Sequence, residues 1–259
     1  MIIRNIKGQE QLDVSGLNKI TVLLDRSESA LSEIGFNEWR PNQDGPPHNH
    51  PEKDQVFFIY SGIGVVKLAN DRYDVARGDV VYVPAGLVHQ TVTEREPLTY
   101  VLFNVFNDAS KEGHATFADH IEKVKGIRKQ QAEKGSAGSV DSDSGLVINN
   151  PKFIRNMVIN KESHSELTPP LELLNSEETN RFSFSVVKIP PGSNEALTAE
   201  QYKESAFFIV EGGGEITLED ETGRAGKGDL FYVPPGKMIP LETREENTTM
   251  LRIDVTVSV

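Results

Sequence analysis

Cysteine is absent from the 259 residues, which removes disulfides, zinc–thiolate centres and thiol nucleophiles from consideration. Basic residues are outnumbered, 27 Lys and Arg against 39 Asp and Glu, for a formal net charge of −12. No basic stripe offsets that balance, so a phosphate backbone is repelled and no nucleic-acid partner is expected. Nowhere do apolar residues run for the ~18 positions that a membrane helix needs, and no membrane association is expected. The opening MIIRNIKGQEQL has neither an apolar h-region nor a cleavage-like site, from which a cytoplasmic location is expected. Histidine is scarce too, at 6 residues, so clustering of it is informative. With 37% hydrophobic and 25% charged residues, the chain reads as a folded protein long enough for two domains.

The chain repeats itself. FFIYSGIG from Phe57 returns as FFIVEGGG from Phe207, and RGDVVYVPAG from Arg77 returns as KGDLFYVPPG from Lys227. The same shift relates Gly62 to Gly212, Leu68 to Leu218, Pro84 to Pro234 and Gly86 to Gly236. Within each copy, short segments such as 55–60, 64–68, 80–83 and 99–105 are rich in β-branched and aromatic residues and are punctuated by Gly, Pro, Asn and Asp, the pattern of a sandwich or barrel. The glycines from Gly212 to Gly214 match a plain strand–turn–strand in the first copy, so they read as a hairpin turn and not a phosphate loop. Between the copies, Phe117, Ile121, Val124 and Ile127 recur at helical spacing, which predicts a helix packing its apolar stripe on the first domain. GSAGSVDSDSG, 135–145, reads as a flexible linker. The expected division is a first domain over 1–112, helix and linker over 113–149, and a second domain over 150–259.

HNHPEKDQVFFIYSG, from His48, and GDVVYVPAGLVH, from Gly78, hold the chemistry. Random placement of so few histidines yields only about 0.14 His-x-His pairs in a chain of this length. Alternate residues of an extended strand face the same way, so His48 and His50 can present two imidazoles to one point. A Pro-Ala-Gly turn at Pro84 then delivers His89 from a second strand.

These two segments resemble the paired signature motifs of the cupins: His-x-His, an acidic residue and a glycine, then Gly, Pro-x-Gly and His. The resemblance implies an all-β protein of two tandem jelly-roll barrels, a bicupin, with a metal held inside the first. It identifies His48, His50 and His89 as ligands. At the fourth position, where most cupins carry Glu, counting back from Gly62 gives Gln55; Asp54 fits a shorter spacing and stays as the alternative. An all-neutral shell leaves the full charge on a divalent ion, which makes it a strong Lewis acid for anionic oxygens. Imidazole and oxygen donors suit Fe, Zn, Ni, Co or Mn. Because ligating imidazoles must be neutral, metal release is expected as pH falls below about 6.

Shifting the ligand positions into the second copy gives Thr198, Glu200, Ser205 and Ile239, so the second barrel is expected to lack a metal site and to be a scaffold or a metal-free ligand pocket. In the first, strand alternation places Phe57 and Ile59 with Gln55, and Thr91 and Thr93 with His89, as pocket walls. Glu38, Tyr82 and Asp54 are the acid/base candidates. Trp39 and Tyr60 read as packing residues, while His114, His120 and His164 read as surface histidines. Two functions follow: a metal-dependent enzyme acting on a small oxygenated metabolite by dioxygenase- or isomerase-type chemistry, or a non-catalytic protein that binds a sugar-like or acidic ligand through an anchoring metal. A small-molecule ligand is common to both, and a homodimer is compatible with either.

Overall fold

The computed structural model describes residues 1–133, 154–156, 170–175, 177–218, 221–244 and 246–257. The expected linker 135–145 and His164 lie outside them. The chain divides into two compact units: Glu10–Val158, and Met1–Gln9 together with Ile159–Val259. From the start, the elements are β1 (Ile2–Asn5), β2 (Gln11–Val14), β3 (Asn18–Leu24), β4 (Ser32–Trp39), β5 (Gln43–Asp44), β6 (Lys53–Leu68), β7 (Asp71–Ala76), β8 (Asp79–Val83), β9 (His89–Thr93), β10 (Leu98–Phe106) and α1 (Phe117–Glu133). The rest are β11 (Ile154–Asn156), β12 (Leu171–Leu174), β13 (Phe182–Ile189), β14 (Asn194–Thr198), β15 (Lys203–Glu211), β16 (Gly213–Leu218), β17 (Glu221–Gly226), β18 (Asp229–Val233), β19 (Met238–Thr243) and β20 (Thr248–Thr256). No described helix is long and apolar enough to cross a membrane.

In the first unit one face is the antiparallel order β11-β8-β6-β10-β4-β3-β2, and β6 pairs on its other half with β7 and β9. The two expected strands 55–60 and 64–68 are therefore one, bent from the first face into the second around Gly62. That glycine has φ +81°, and a Cβ there would stand 1.9 Å from the Pro97 carbonyl oxygen, so no other residue fits the corner. The α1 helix lays Phe117, Ile121 and Val124 against Val14 and Ile20 at the open end of this barrel. Three of the four expected stripe residues thus make the packing; the side chain of Ile127 lies outside the described residues.

The second unit is built from β1-β18-β15-β20-β13-β12 and β14-β19-β16-β17. The duplication is legible bond by bond. Gly78 N donates to the Ile59 carbonyl and Gly228 N to that of Ile209, both at 2.9 Å. Asp79 accepts from Ala76 N as Asp229 accepts from Gly226 N, both at 2.7 Å. The Thr93 hydroxyl donates to the Arg40 carbonyl and the Thr243 hydroxyl to that of Pro190, both at 2.6 Å. Even the leading strands correspond: β11 lies antiparallel on β8, and β1 lies antiparallel on β18. The strand that opens the chain accordingly completes the sheet of the second unit, where Ile3 packs against the core.

Candidate metal centre

His48 and His89 are joined through their backbones. His48 N donates to His89 O at 3.0 Å and His89 N to His48 O at 2.8 Å, an isolated antiparallel bridge. Residues paired in this way direct their side chains to the same face, and the two rings lie 4.3 Å apart. Each ring is also oriented. His48 Nδ1 lies 2.9 Å from the Pro46 carbonyl and His89 Nδ1 lies 3.1 Å from the Leu87 carbonyl. A carbonyl only accepts, so both Nδ1 atoms carry the proton and both Nε2 lone pairs are left for a ligand. His50 reaches the same place from the other side of Asn49, its Nδ1 3.4 Å from Glu52 Oε1. One nitrogen from each ring falls in a group whose members all lie within 4.8 Å of one another. Two nitrogens on one ion at ~2.1 Å stand at most ~4.2 Å apart, a difference that side-chain rotation covers.

Burial deepens from His48, which is exposed, through His50 to His89. Desolvation holds the His89 imidazole well below the ordinary value, with the His48 ring adding to it. Desolvation does the same to His50, reinforced by the Lys53 ammonium. Neutral imidazole is the ligating form, so these rings stay competent to lower pH than free histidine does.

The amide of Gln55, the expected fourth donor, is oriented by a row of cross-strand pairs. Gln55 on β6, Asn104 on β10 and Glu33 on β4 stand directly opposite one another. Gln55 Nε2 donates to Asn104 Oδ1 at 2.9 Å, Asn104 Nδ2 donates to Glu33 Oε1 at 2.8 Å, and Arg26 Nε donates to Glu33 Oε2 at 2.5 Å. Because a carboxylate only accepts, Glu33 fixes which end of the Asn104 amide faces it, and Asn104 in turn fixes Gln55. Gln55 Oε1 is left buried without a hydrogen-bond partner. An orphaned amide oxygen and three clustered imidazoles lining one cavity fit a divalent transition ion. Asp54 faces elsewhere: it accepts from Ala85 N at 2.7 Å and is not among the residues lining the cavity.

That cavity, about 270 Å³, is lined by His48, His50, His89 and Gln55, and by Phe57 and Thr91 of the expected walls. Ile59 and Thr93 are buried but do not line it; the Thr93 hydroxyl instead pins the turn between β4 and β5. None of the three expected acid/base groups, Glu38, Tyr82 and Asp54, lines the cavity. Tyr82 pairs with Val56, on the opposite face of the sheet from Gln55 and Phe57, and Glu38 accepts from Gln11 Nε2 near the surface.

His120 corrects the sequence reading. It is 9% exposed, lines the cavity, and its ring lies 6.2 Å from that of His50. It sits three residues after Phe117 and four before Val124, on the helix face that covers the barrel. Burial, with Lys53 second, lowers its pKa to about 2. His114 stays near the surface beside Lys123. Trp39, expected as packing, is buried and lines the cavity too, donating to the Tyr100 hydroxyl at 3.1 Å. Spacing also gave no sign of Lys53, which is 2% exposed and stands 5.3 Å from the Phe106 ring centroid.

In the second unit the corresponding positions hold other partners. Ile239 is fully buried in an apolar core with Leu197, Phe207, Phe231 and Leu241. Ser205 donates to Asp254 at 2.5 Å and Glu200 pairs with Lys203 at 3.0 Å.

A family model described as "Cupin domain" matches residues 36–104 and 185–252, together more than half of the chain. A germin-like protein, subfamily 2 member 1, from Arabidopsis thaliana is 33% identical over 89 residues, covering 32% of this chain and 36% of the relative. An uncharacterized protein, MJ1618, from Methanocaldococcus jannaschii is 38% identical over 47 residues, 18% of this chain and 38% of that one. The chain thus spans less than half the length of the curated relatives it matches. Among solved structures, Bacillus subtilis oxalate decarboxylase with its Mn(II) centres is similar over 100% of this chain and 78% of its own, with a TM-score of 0.66 at 16% identity. Protein Ylba of E. coli is similar over 99% and 92%, with a TM-score of 0.69 at 13% identity. An 11S globulin from Wrightia tinctoria with an auxin binding site is similar over 99% and 83%, with a TM-score of 0.68 at 12% identity. At these identities the likeness is one of fold.

Proposed function

The chain belongs to the cupin family, and on that premise we propose that its first barrel binds one divalent transition metal and acts on a small oxygenated organic metabolite. The observation that carries the reading is the cluster of three imidazoles in a cavity that the orphaned Gln55 Oε1 also lines. The Mn(II) centres of an oxalate decarboxylase of the same fold are consistent with such a site. When bound, the ion supplies a Lewis acid that stabilises negative charge on a carbonyl, carboxylate or enolate oxygen.

The residues of the chain decide what comes to that ion. Three neutral imidazoles and an amide cancel none of its charge, and the buried Lys53 ammonium in the cavity wall is paired with Glu52 at 3.8 Å. An anionic oxygen is therefore the group this end of the cavity attracts. Apolar walls exclude water from the remainder of the ligand. A metal-held oxyanion is a starting point for dioxygenase-, decarboxylase- or isomerase-type chemistry.

A second reading, a binder without turnover, is favoured by one observation. The Glu33 carboxylate that lines the cavity is already committed to Arg26 and Asn104, and Glu38 and Tyr82 stand outside. Metal-loaded protein offered a panel of keto acids, hydroxy acids and diketones, with oxygen uptake and product formation followed, separates the two. Metal-dependent turnover of any member establishes the enzyme; saturable binding with no turnover across the panel establishes the binder.

A further inference from the structure

The cavity has a second polar end. Asn18 opens β3 and Asn37 lies near the end of β4, and both line the cavity while being 5% and 2% exposed. Asn18 Nδ2 donates to Asn37 Oδ1 at 2.7 Å. That bond leaves Asn18 Oδ1 and Asn37 Nδ2 buried with no hydrogen-bond partner. Turning both amides over exchanges the roles of the two residues, and one carbonyl oxygen and one amide N–H are left over either way. Two adjacent orphans of opposite sense, on one wall of a cavity, are the complement of a group that both donates and accepts.

Register places this pair far from the metal end. Asn37 is opposite Tyr100 on β10, four residues before the Asn104 that holds Gln55, which is roughly 13 Å of extended strand. Between the two ends the lining is apolar and aromatic: Leu102, Ile20, and Phe57 stacked on Tyr100 at 4.9 Å.

We propose that the ligand of this cavity is an organic acid with a ring-sized apolar middle and a hydroxyl group at the end remote from the acid. The inference rests on the metal reading above for the placement of the acid oxygens, at the His48, His50 and His89 end. At the other end the ligand hydroxyl donates to Asn18 Oδ1 and accepts from Asn37 Nδ2. A ligand lacking that hydroxyl leaves both amide groups unpaired. A second carboxylate in its place accepts only, leaves Asn18 Oδ1 without a donor and buries a charge. Selectivity at this end therefore runs hydroxyl, then apolar, then carboxylate.

Trp39 is the sole tryptophan of the sequence and lines the cavity, so its fluorescence reports occupancy without turnover. The full chain equilibrated with Mn(II) is titrated with cyclohexylacetate, with its analogue hydroxylated opposite the side chain, and with the corresponding ring carboxylate. The hydroxy acid is expected to bind about tenfold more tightly than cyclohexylacetate, with the dicarboxylate weakest. In Asn18→Leu and in Asn37→Leu, made separately so that one folded variant suffices, that preference shrinks to about twofold or less while cyclohexylacetate binds at least as well. Equal affinity for the hydroxy acid and cyclohexylacetate, an unchanged preference in the variants, or no saturable quenching by any probe overturns the inference. His48→Ala tests the underlying reading separately: affinity for all three acids falls together with the hydroxyl preference kept. If His48→Ala changes none of the three, the metal reading fails, and the amide pair is judged on the hydroxyl preference alone.

Discussion

Gln55 and Asn104 stand opposite each other on β6 and β10, the amide of one donating to the carbonyl of the other at 2.9 Å. Their orientation is dictated from two strands away, by a Glu33 carboxylate that can only accept. The orientation of the Gln55 amide is in this way a property of the sheet. Asn104 holds the Gln55 amide with its oxygen left without a partner in the cavity lining. Asn104→Leu is expected to weaken metal binding by about 10–100-fold, the range of losses when a group that orients a ligand is removed. A competitive metal titration with a chromogenic chelator measures it.

Gln55→Glu has the opposite balance. The new carboxylate faces the Asn104 carbonyl oxygen, and Asn104 cannot turn to meet it without facing its oxygen to Glu33. The metal-free variant is expected to lose about 1–3 kcal/mol of stability. A bound cation neutralises the added charge, so the rise in melting temperature on adding metal is larger in Gln55→Glu than in wild type. Differential scanning calorimetry with and without metal gives both numbers.

Burial depresses the pKa values of His50, His89 and His120 in the folded protein. The unfolded chain titrates near the free-histidine value of about 6.5. As pH falls through that value, the unfolded state takes up protons that the folded state refuses, and stability drops. The loss reaches at most about 1.4 kcal/mol per pH unit for each imidazole. Urea unfolding midpoints of the metal-free protein are expected to fall steadily from pH 7 to pH 5, and His120→Asn to flatten the slope.

Strand β1 pairs with β18, and Ile3 packs against the core of the second unit. Ile3→Asp is expected to destabilise that unit by about 1–3 kcal/mol while leaving metal content unchanged. Hydrogen exchange at Leu230 to Tyr232, the residues paired with β1, reports the loss.

The clustering of His48, His50 and His89 was legible because strand alternation and a turn are local patterns, and the place of Gln55 in the cavity lining because Gly62 fixes the register of a single strand. The jelly rolls were legible from a repeat whose glycines, aspartates and threonines make the same bonds in both copies. What organises Gln55 was hidden, since its partner Asn104 is 49 residues away and Glu33 lies 71 residues before Asn104. Glu38 and Tyr82 show the same limit. Each lies in a strand, but which face a strand residue takes depends on partners: Tyr82 follows Val56, and Glu38 lies between Lys19 and Thr99. For His120 a signal existed. It shares a helix face with Phe117 and Val124, and a polar residue within an apolar stripe is a candidate for the cavity that the stripe covers.

Everything assigned to the first barrel depends on one cation held jointly by side chains 48, 50, 55 and 89. Metal content by mass spectrometry, on protein purified without chelators and on its His48→Ala and His89→Ala variants, tests that directly. One divalent ion per chain is expected in the wild type, with loss from the His89→Ala variant most complete because that imidazole is the most buried of the three. Equal metal content in all three proteins, or none in a correctly folded wild type dialysed against Mn, Fe and Zn in turn, would contradict it.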